Sequence, residues 1–215
     1  LIDRIGRATL KLEAVQGAMM KPYSAACDEN RGPILAVLRD LLREPADVLE
    51  LGSGTGQHGV YFAARLPHLQ WTCSDLPEHH PGIRAWMEEA CLDNLHGPLA
   101  LDVSAPRWPV AGTDAVFSAN TAHIMEERCV AAMFAGVARI LEPGGPFLLY
   151  GPFNYDGAYT SESNRRFDAW LKQRDPRSGI RDRGWLDRVA AGVGLRRTDD
   201  REMPVNNRIL IWRKL

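Results

Sequence analysis

The stretch Ala46–Leu66, "ADVLELGSGTGQHGVYFAARL", limits the possible fold more than any other part of the chain. "DVLEL" is a short apolar run suited to a buried strand. Gly52, Gly54 and Gly56 follow at every second position, and from Gln57 to Arg65 apolar residues return at helical spacing. A strand that enters a helix through such a turn forms a β-α unit whose backbone can approach a ligand closely. The helix start adds unpaired N–H groups. Alone the turn is a weak sign, because dinucleotide-binding folds use a similar one.

The rest of the chain repeats that alternation. From Asn30 to Leu42 the residues Ile34, Leu35, Val37, Leu38, Leu41 and Leu42 recur at helical spacing, with Pro33 in the first turn. After the glycine turn, "LQWTCSD" reads as a strand, "PGIRAWMEEACLDN" as a helix, and "PLALDV" and "TDAVFSAN" as third and fourth strands. "EERCVAAMFAGVARIL" is a periodic helix stopped by "EPGG". "PFLLYGPF" is a fifth strand. A polar segment, the helix "RRFDAWLKQ" and a helix around Gly184–Ala191 then lead to the strand candidates "LRRTDDRE" and "NRILIWRK". This order implies an α/β fold with a mostly parallel sheet and helices on both faces. The last two strands are too close for a crossover helix, so they are expected to form an antiparallel hairpin. Residues 19–215 read as one domain. Residues 1–18 are set apart as an extension of unassigned role, vector-derived or read from an alternative start, because Leu1 is not an initiator methionine and Met19–Met20 stand just before the domain.

Bulk properties narrow the function classes. A formal net charge of −1 makes no electrostatic case for nucleic acid or an anionic membrane surface. No apolar run approaches the roughly 18–20 residues that span a bilayer, and the first twenty residues lack the apolar core of a signal peptide. Cys27, Cys73, Cys91 and Cys129 form no CxxC pair, and no HExxH is present, so reduced thiols, no metal and a cytoplasmic location are expected. The sequence carries no signal for oligomeric state.

The acids around the turn say more. The spacing is GxGxG, not GxGxxG, and Glu50 precedes the first glycine by two residues. A carboxylate there repels a pyrophosphate but suits a cationic or hydroxyl-rich ligand. Asp75 ends the second strand, where α/β proteins accept hydrogen bonds from ribose hydroxyls, and Asp102, ending the third, adds an acceptor at the same edge. Three acids with no basic residue beside the turn favour S-adenosylmethionine, which has a positive sulfonium, two ribose hydroxyls and an adenine amine.

This pattern resembles the seven-stranded, Rossmann-like class I methyltransferases, whose terminal antiparallel hairpin matches the last two strands. The resemblance covers Asn30 to Lys214. The segments "YSAACDENRGPIL", "LELGSGTGQH", "GPFNYDGAYTSESNRRFDAWLKQRDPRSGIRD" and "MPVNNRILIWRK" are further similar to the methyltransferase-like protein 26 family, whose members in bacteria and animals are assigned as methyltransferases without a substrate. Val205 stands where that family more often has alanine. The resemblance implies S-adenosylmethionine, with S-adenosylhomocysteine as product. The expected cofactor site comprises Gly52, Ser53, Gly54, Gly56, Gln57 and His58 on the turn, Asp75 with Leu76, Asp102 with Val103, and Asn30, Arg31, Glu50 and Asn120.

Methyl transfer needs a nucleophile held near the methyl carbon with water excluded, and a base where the nucleophile carries a proton. "SANTAHIMEE" follows the fourth strand, which makes Asn120 and His123 the candidate catalytic residues; an imidazole titrates near neutrality. Tyr23, Asn154, Tyr155, Arg181, Asn206 and Asn207 fall on segments expected to cover the ligand. Such a lid suits a small polar methyl acceptor, including one with a carboxylate for Arg181 to bind. The rival readings are a cofactor-binding partner subunit without turnover and a methyltransferase of protein or RNA.

Overall fold

The computed structural model describes residues 21–215; the division proposed at residues 18 and 19 lies outside them. The elements run α1 (Ala25–Leu41), β1 (Ala46–Leu51), α2 (Gln57–Ala63), β2 (Leu69–Asp75), α3 (His80–Ala90), β3 (Leu95–Ala100), β4 (Ala115–Ala119) and α4 (Glu127–Ile140). They continue with β5 (Pro146–Gly151), β6 (Phe153–Asn154), α5 (Glu162–Arg174), β7 (Arg181–Asp182), α6 (Arg183–Gly192), β8 (Leu195–Met203) and β9 (Asn207–Lys214). Seven strands form one sheet in the order β3-β2-β1-β4-β5-β9-β8. The first five are parallel; β9 is antiparallel to both β5 and β8. This is the expected α/β sandwich with its C-terminal hairpin.

Strand alternation divides the core between the two faces. Val48, Trp71, Phe117, Leu148, Tyr150 and Ile211 meet Ile34 and Leu38 of α1, Phe62 of α2 and Ile83 of α3. Their neighbours Leu49, Leu51, Val116, Phe147, Leu149 and Trp212 meet Phe134 and Val137 of α4 and Leu186 and Ala190 of α6. Each central strand is therefore apolar on both sides, which is why those runs read as continuous rather than alternating.

Three boundaries differ from expectation. The first helix starts at Ala25, so Pro33 lies inside it rather than in its first turn. Burial of Ile34, Leu35 and Leu38 offsets the missing N–H. The third strand spans Leu95–Ala100, three residues earlier than "PLALDV"; Pro98 is tolerated because β3 is an edge strand. Asp102 consequently lies two residues beyond the strand. Finally, β6 and β7 form a separate short parallel pair that the sequence reading did not include. It draws the "GIRD" segment to the end of β5.

Candidate active site

A cavity of about 510 Å³ opens at the C-terminal ends of β1, β2 and β4, where open α/β sheets hold ligands and within the size range of small-molecule sites. The turn after β1 forms its floor. Gly52 and Gly54 have φ of +69° and +58°, and a Cβ on Gly52 would lie 2.6 Å from the Thr121 methyl, so this turn is closed to other residues. Gly56 faces elsewhere: it caps the start of α2 with φ +88°, and a Cβ added there would come within 3.0 Å of the Ile83 Cα, so it serves helix packing.

Asp75 sits at the cavity wall with both oxygens fixed. Oδ2 accepts from the Gly54 N–H and Oδ1 from the Leu76 N–H, each at 2.7 Å. Asp102 is exposed and accepts from the Ser104 N–H at 2.8 Å and its hydroxyl at 2.7 Å. Leu76, Val103, Ser53 and Asn120 complete the expected lining. Asn120 has φ +60°, a left-handed conformation that asparagine adopts more readily than most side chains, and its N–H binds the Tyr150 carbonyl at 2.9 Å.

The other cofactor candidates stand behind this wall. Glu50 is buried on the opposite face of β1, away from the cavity, and accepts from Ser53 Oγ at 3.0 Å and Trp71 Nε1 at 3.1 Å. Burial pushes its carboxyl above the ordinary range despite those donors. Glu50, expected in the cofactor site, thus supports the turn from beneath instead. Gln57 binds the Ser24 N–H through Oε1 at 2.6 Å and so ties the start of α1 to the turn. Arg31 pairs with Asp28 at 2.6 Å and lies over the Tyr61 ring. Asn30 is buried, with Oδ1 at 2.6 Å from His58 Nε2. None of these four lines the cavity, whereas His58 does.

His123 also lies outside the lining. It is buried, packs edge-on to Phe167, and its pKa is pushed down to about 4 by burial and by Arg181. The side chain lies against Phe167 and close to Gly151 at the end of β5, and does not line the cavity.

The expected lid residues do not line the cavity either. Buried Arg181 donates to the carbonyls of Ala122, Met125 and Arg177, and comes within 3.6 Å of Glu127. Its guanidinium is used inside the protein, so it cannot clamp an acceptor carboxylate in this arrangement. Asp182 does not pair with it; it caps α6 through the Trp185 N–H and binds the Gly157 N–H. The Tyr155 hydroxyl donates to Asp200 at 2.9 Å, and burial together with Asp200 pushes its pKa up to about 12. Asn154 donates to the Ile180 carbonyl, and Asn206 to Ser163 Oγ, while Asn207 Nδ2 binds the Pro204 carbonyl. Tyr23 is exposed and donates to Asp28 at 2.6 Å.

Sequence reasoning missed Ser24, Cys27, Glu126, Asp175 and Arg177, all of which line the cavity. Arg177 is held by Asp175 at 3.1 Å and approaches Glu126 at 3.8 Å. Ser24 and Cys27 fall in "YSAACDENRGPIL", Asp175 and Arg177 in "RDPRSGIRD" and Glu126 in "SANTAHIMEE", segments that the sequence singled out for other residues.

A family model described as "Protein of unknown function (DUF938)" matches residues 21–214. The chain belongs to this family. Among solved structures, the DUF938 chain resembles an O-methyltransferase family protein from Burkholderia thailandensis, with a TM-score of 0.75 and 19% identity over 85% of this chain and 55% of that one. It also resembles mitomycin 7-O-methyltransferase, with a TM-score of 0.76 and 16% identity over 89% and 55% of the two chains. A third is human N-acetylserotonin methyltransferase in complex with S-adenosylmethionine, with a TM-score of 0.71 and 16% identity over 86% and 51%. The DUF938 chain thus shares the methyltransferase fold and spans about half the length of these structures. Among the described residues, no helix is long and apolar enough to cross a membrane.

Proposed function

We propose that this chain binds S-adenosylmethionine in the cavity and transfers its methyl group to a small polar acceptor. The observation that carries the reading is the charge of the wall. Asp75, Asp102, Glu126 and Asp175 line it, while the one arginine there among the described residues, Arg177, pairs with Asp175 and approaches Glu126. An anionic cavity beside a glycine turn suits a cationic nucleoside and opposes a pyrophosphate. In this reading Asp75 accepts from the ribose hydroxyls, Asp102 meets the adenine edge with Leu76 and Val103, and the turn from Gly52 to Gly54 holds the methionine end beside Asn120. The bound cofactor supplies an electrophilic methyl group on positive sulfur.

The fold shared with O-methyltransferases and the similarity to methyltransferase-like protein 26 support the same reading. A carboxylate-bearing acceptor loses its main argument, because Arg181 is spent on backbone carbonyls. We therefore favour an acceptor that is polar but not anionic. Its place of action is proposed to be the cytoplasm, in keeping with four free cysteines. Protein or RNA as acceptor finds no support in the near-neutral charge.

The second reading, a cofactor-binding partner without turnover, draws on one observation: the histidine after β4 is buried away from the cavity. Calorimetry with S-adenosylmethionine, S-adenosylhomocysteine and NADH tests the binding step. Heat from the first two and none from NADH is expected, followed by a search for acceptors in metabolite extracts. Failure of both sulfur compounds to bind would sink the proposal.

A further inference from the structure

A different histidine faces the cavity. His58 is 5% exposed, stacks on Phe62 and has its Nε2 at 2.6 Å from Asn30 Oδ1. Its other ring nitrogen, Nδ1, is 4.0 Å from Cys27 Sγ, a weak contact at best, and both residues line the cavity. The Asn30 atom that meets the ring is its amide oxygen, which can only accept a hydrogen bond. Asn30 thus presents oxygen to His58. Nε2 must then carry the ring proton, and Nδ1 is left with a bare lone pair.

We propose that His58 Nδ1 is the group that takes the proton from a nucleophile in this cavity, with Asn30 as the residue that positions it. The assignment rests on the methyl-transfer reading. As the acceptor's X–H bond gives way and its X–CH₃ bond forms, the S–CH₃ bond breaks with its electron pair left on sulfur. The proton passes to Nδ1 and then to solvent. Burial, aided by the Arg31 charge and opposed by Asp28, keeps the ring neutral, so the lone pair is present at neutral pH. No other histidine fits as well: His123 is outside the cavity, and His79, on its wall, is an exposed neighbour of Asp75.

Two readouts test this without turnover. Long-range ¹H–¹⁵N correlation spectra report the tautomer of each imidazole, and His58→Gln identifies the relevant signal. A proton on Nε2 is expected, with the preference weakened in Asn30→Ala. Cys27 then stands in for the acceptor. Burial raises its pKa and keeps it a protonated thiol, so alkylation by iodoacetamide needs a base: the S–C bond forms, iodide leaves and the thiol proton goes to Nδ1. The rate at Cys27 is expected to fall by about 10²-fold in His58→Gln, within the range of general-base assistance. Exposed Cys91 serves as an internal reference. If His58→Gln does not fold, Asn30→Ala is expected to slow the same reaction. A proton found on Nδ1, or a Cys27 rate unchanged in the variants, overturns the assignment. Calorimetry with S-adenosylmethionine runs alongside. Absence of binding with both histidine results intact would overturn methyl transfer and leave the base in place.

Discussion

The Arg181 Nε–H donates to the Ala122 carbonyl at 3.1 Å, across 59 residues of sequence, so the loop after β4 is held from within. The same guanidinium reaches the Met125 and Arg177 carbonyls. Three backbone carbonyls, that of Ala122 buried and the other two half-buried, therefore depend on one planar fork. Arg181→Ala leaves them unpaired and is expected to cost about 2–4 kcal/mol in urea denaturation, since hydrogen bonds to charged groups are worth roughly 1.5–3 kcal/mol each and the losses overlap. Arg181→Lys should recover little, because an ammonium cannot span three carbonyls. A wild-type urea midpoint for Arg181→Ala would show that the loop holds itself.

Asp75 bridges the turn after β1 and the residue after β2 through its two 2.7 Å bonds. In the proposed reading its remaining lone pairs accept from the ribose. Asp75→Ala should weaken calorimetric binding of S-adenosylhomocysteine by roughly 1.5–3 kcal/mol, the worth of hydrogen bonds to a charged group. Asp102→Ala is expected to cost less, because Asp102 is exposed and its oxygen already serves Ser104. Equal losses at both positions would reverse that ranking. No loss at Asp75 in a folded variant would remove the ribose contact.

The sheet was legible because each strand has a local signature: "DVLEL", "LQWTCSD" and "PFLLYG" are apolar runs bounded by turn residues. The third strand was misplaced because Pro98 reads as a boundary, and only its edge position in the finished sheet makes it permissible. The part of the cavity lining at or just past the strand ends, Gly52, Asp75 and Asp102, was readable for the same local reason. What was not readable depends on distance. Arg181 looked like a free cation because its carbonyl partners lie 56 and 59 residues away. His58 and Asn30 meet across 28 residues, from two helices whose contact no periodicity announces.

Two buried histidines set an acid limit on stability. His58 and His123 are each pushed down from 6.5 to about 4, chiefly by burial. The unfolded chain gains these protons near the ordinary value and the folded chain only near 4. Their contribution is thus complete above pH 6.5 and is lost as pH falls toward 4, by up to about 1.4 kcal/mol per pH unit for each ring. Glu50 acts in the opposite sense: its raised pKa favours folding at acid pH, and that benefit is lost as pH rises through it. Urea midpoints are expected to fall between neutral pH and pH 5, with a shallower fall in His123→Gln. An unchanged slope in that variant would mean that His123 titrates freely in the folded protein.

The hairpin between β8 and β9 offers a gain in stability. Val205 and Asn206 both have positive φ, +60° and +58°, and the Asn207 N–H binds the Pro204 carbonyl at 3.3 Å. Two left-handed residues inside that bond form the mirror-image turn that matches strand twist. Asparagine tolerates this conformation, whereas a β-branched valine is strained in it. Val205 is also 76% exposed, so it repays little of the strain through packing. Val205→Gly or Val205→Asn is therefore expected to stabilise the protein by about 1 kcal/mol, the lower end of the left-handed penalty, with glycine's looser unfolded state reducing its share. Thermal and urea denaturation of the two variants measure it. Asparagine should outperform glycine if unfolded-chain freedom matters; a loss of stability in both would show that the valine side chain makes contacts that outweigh its backbone strain.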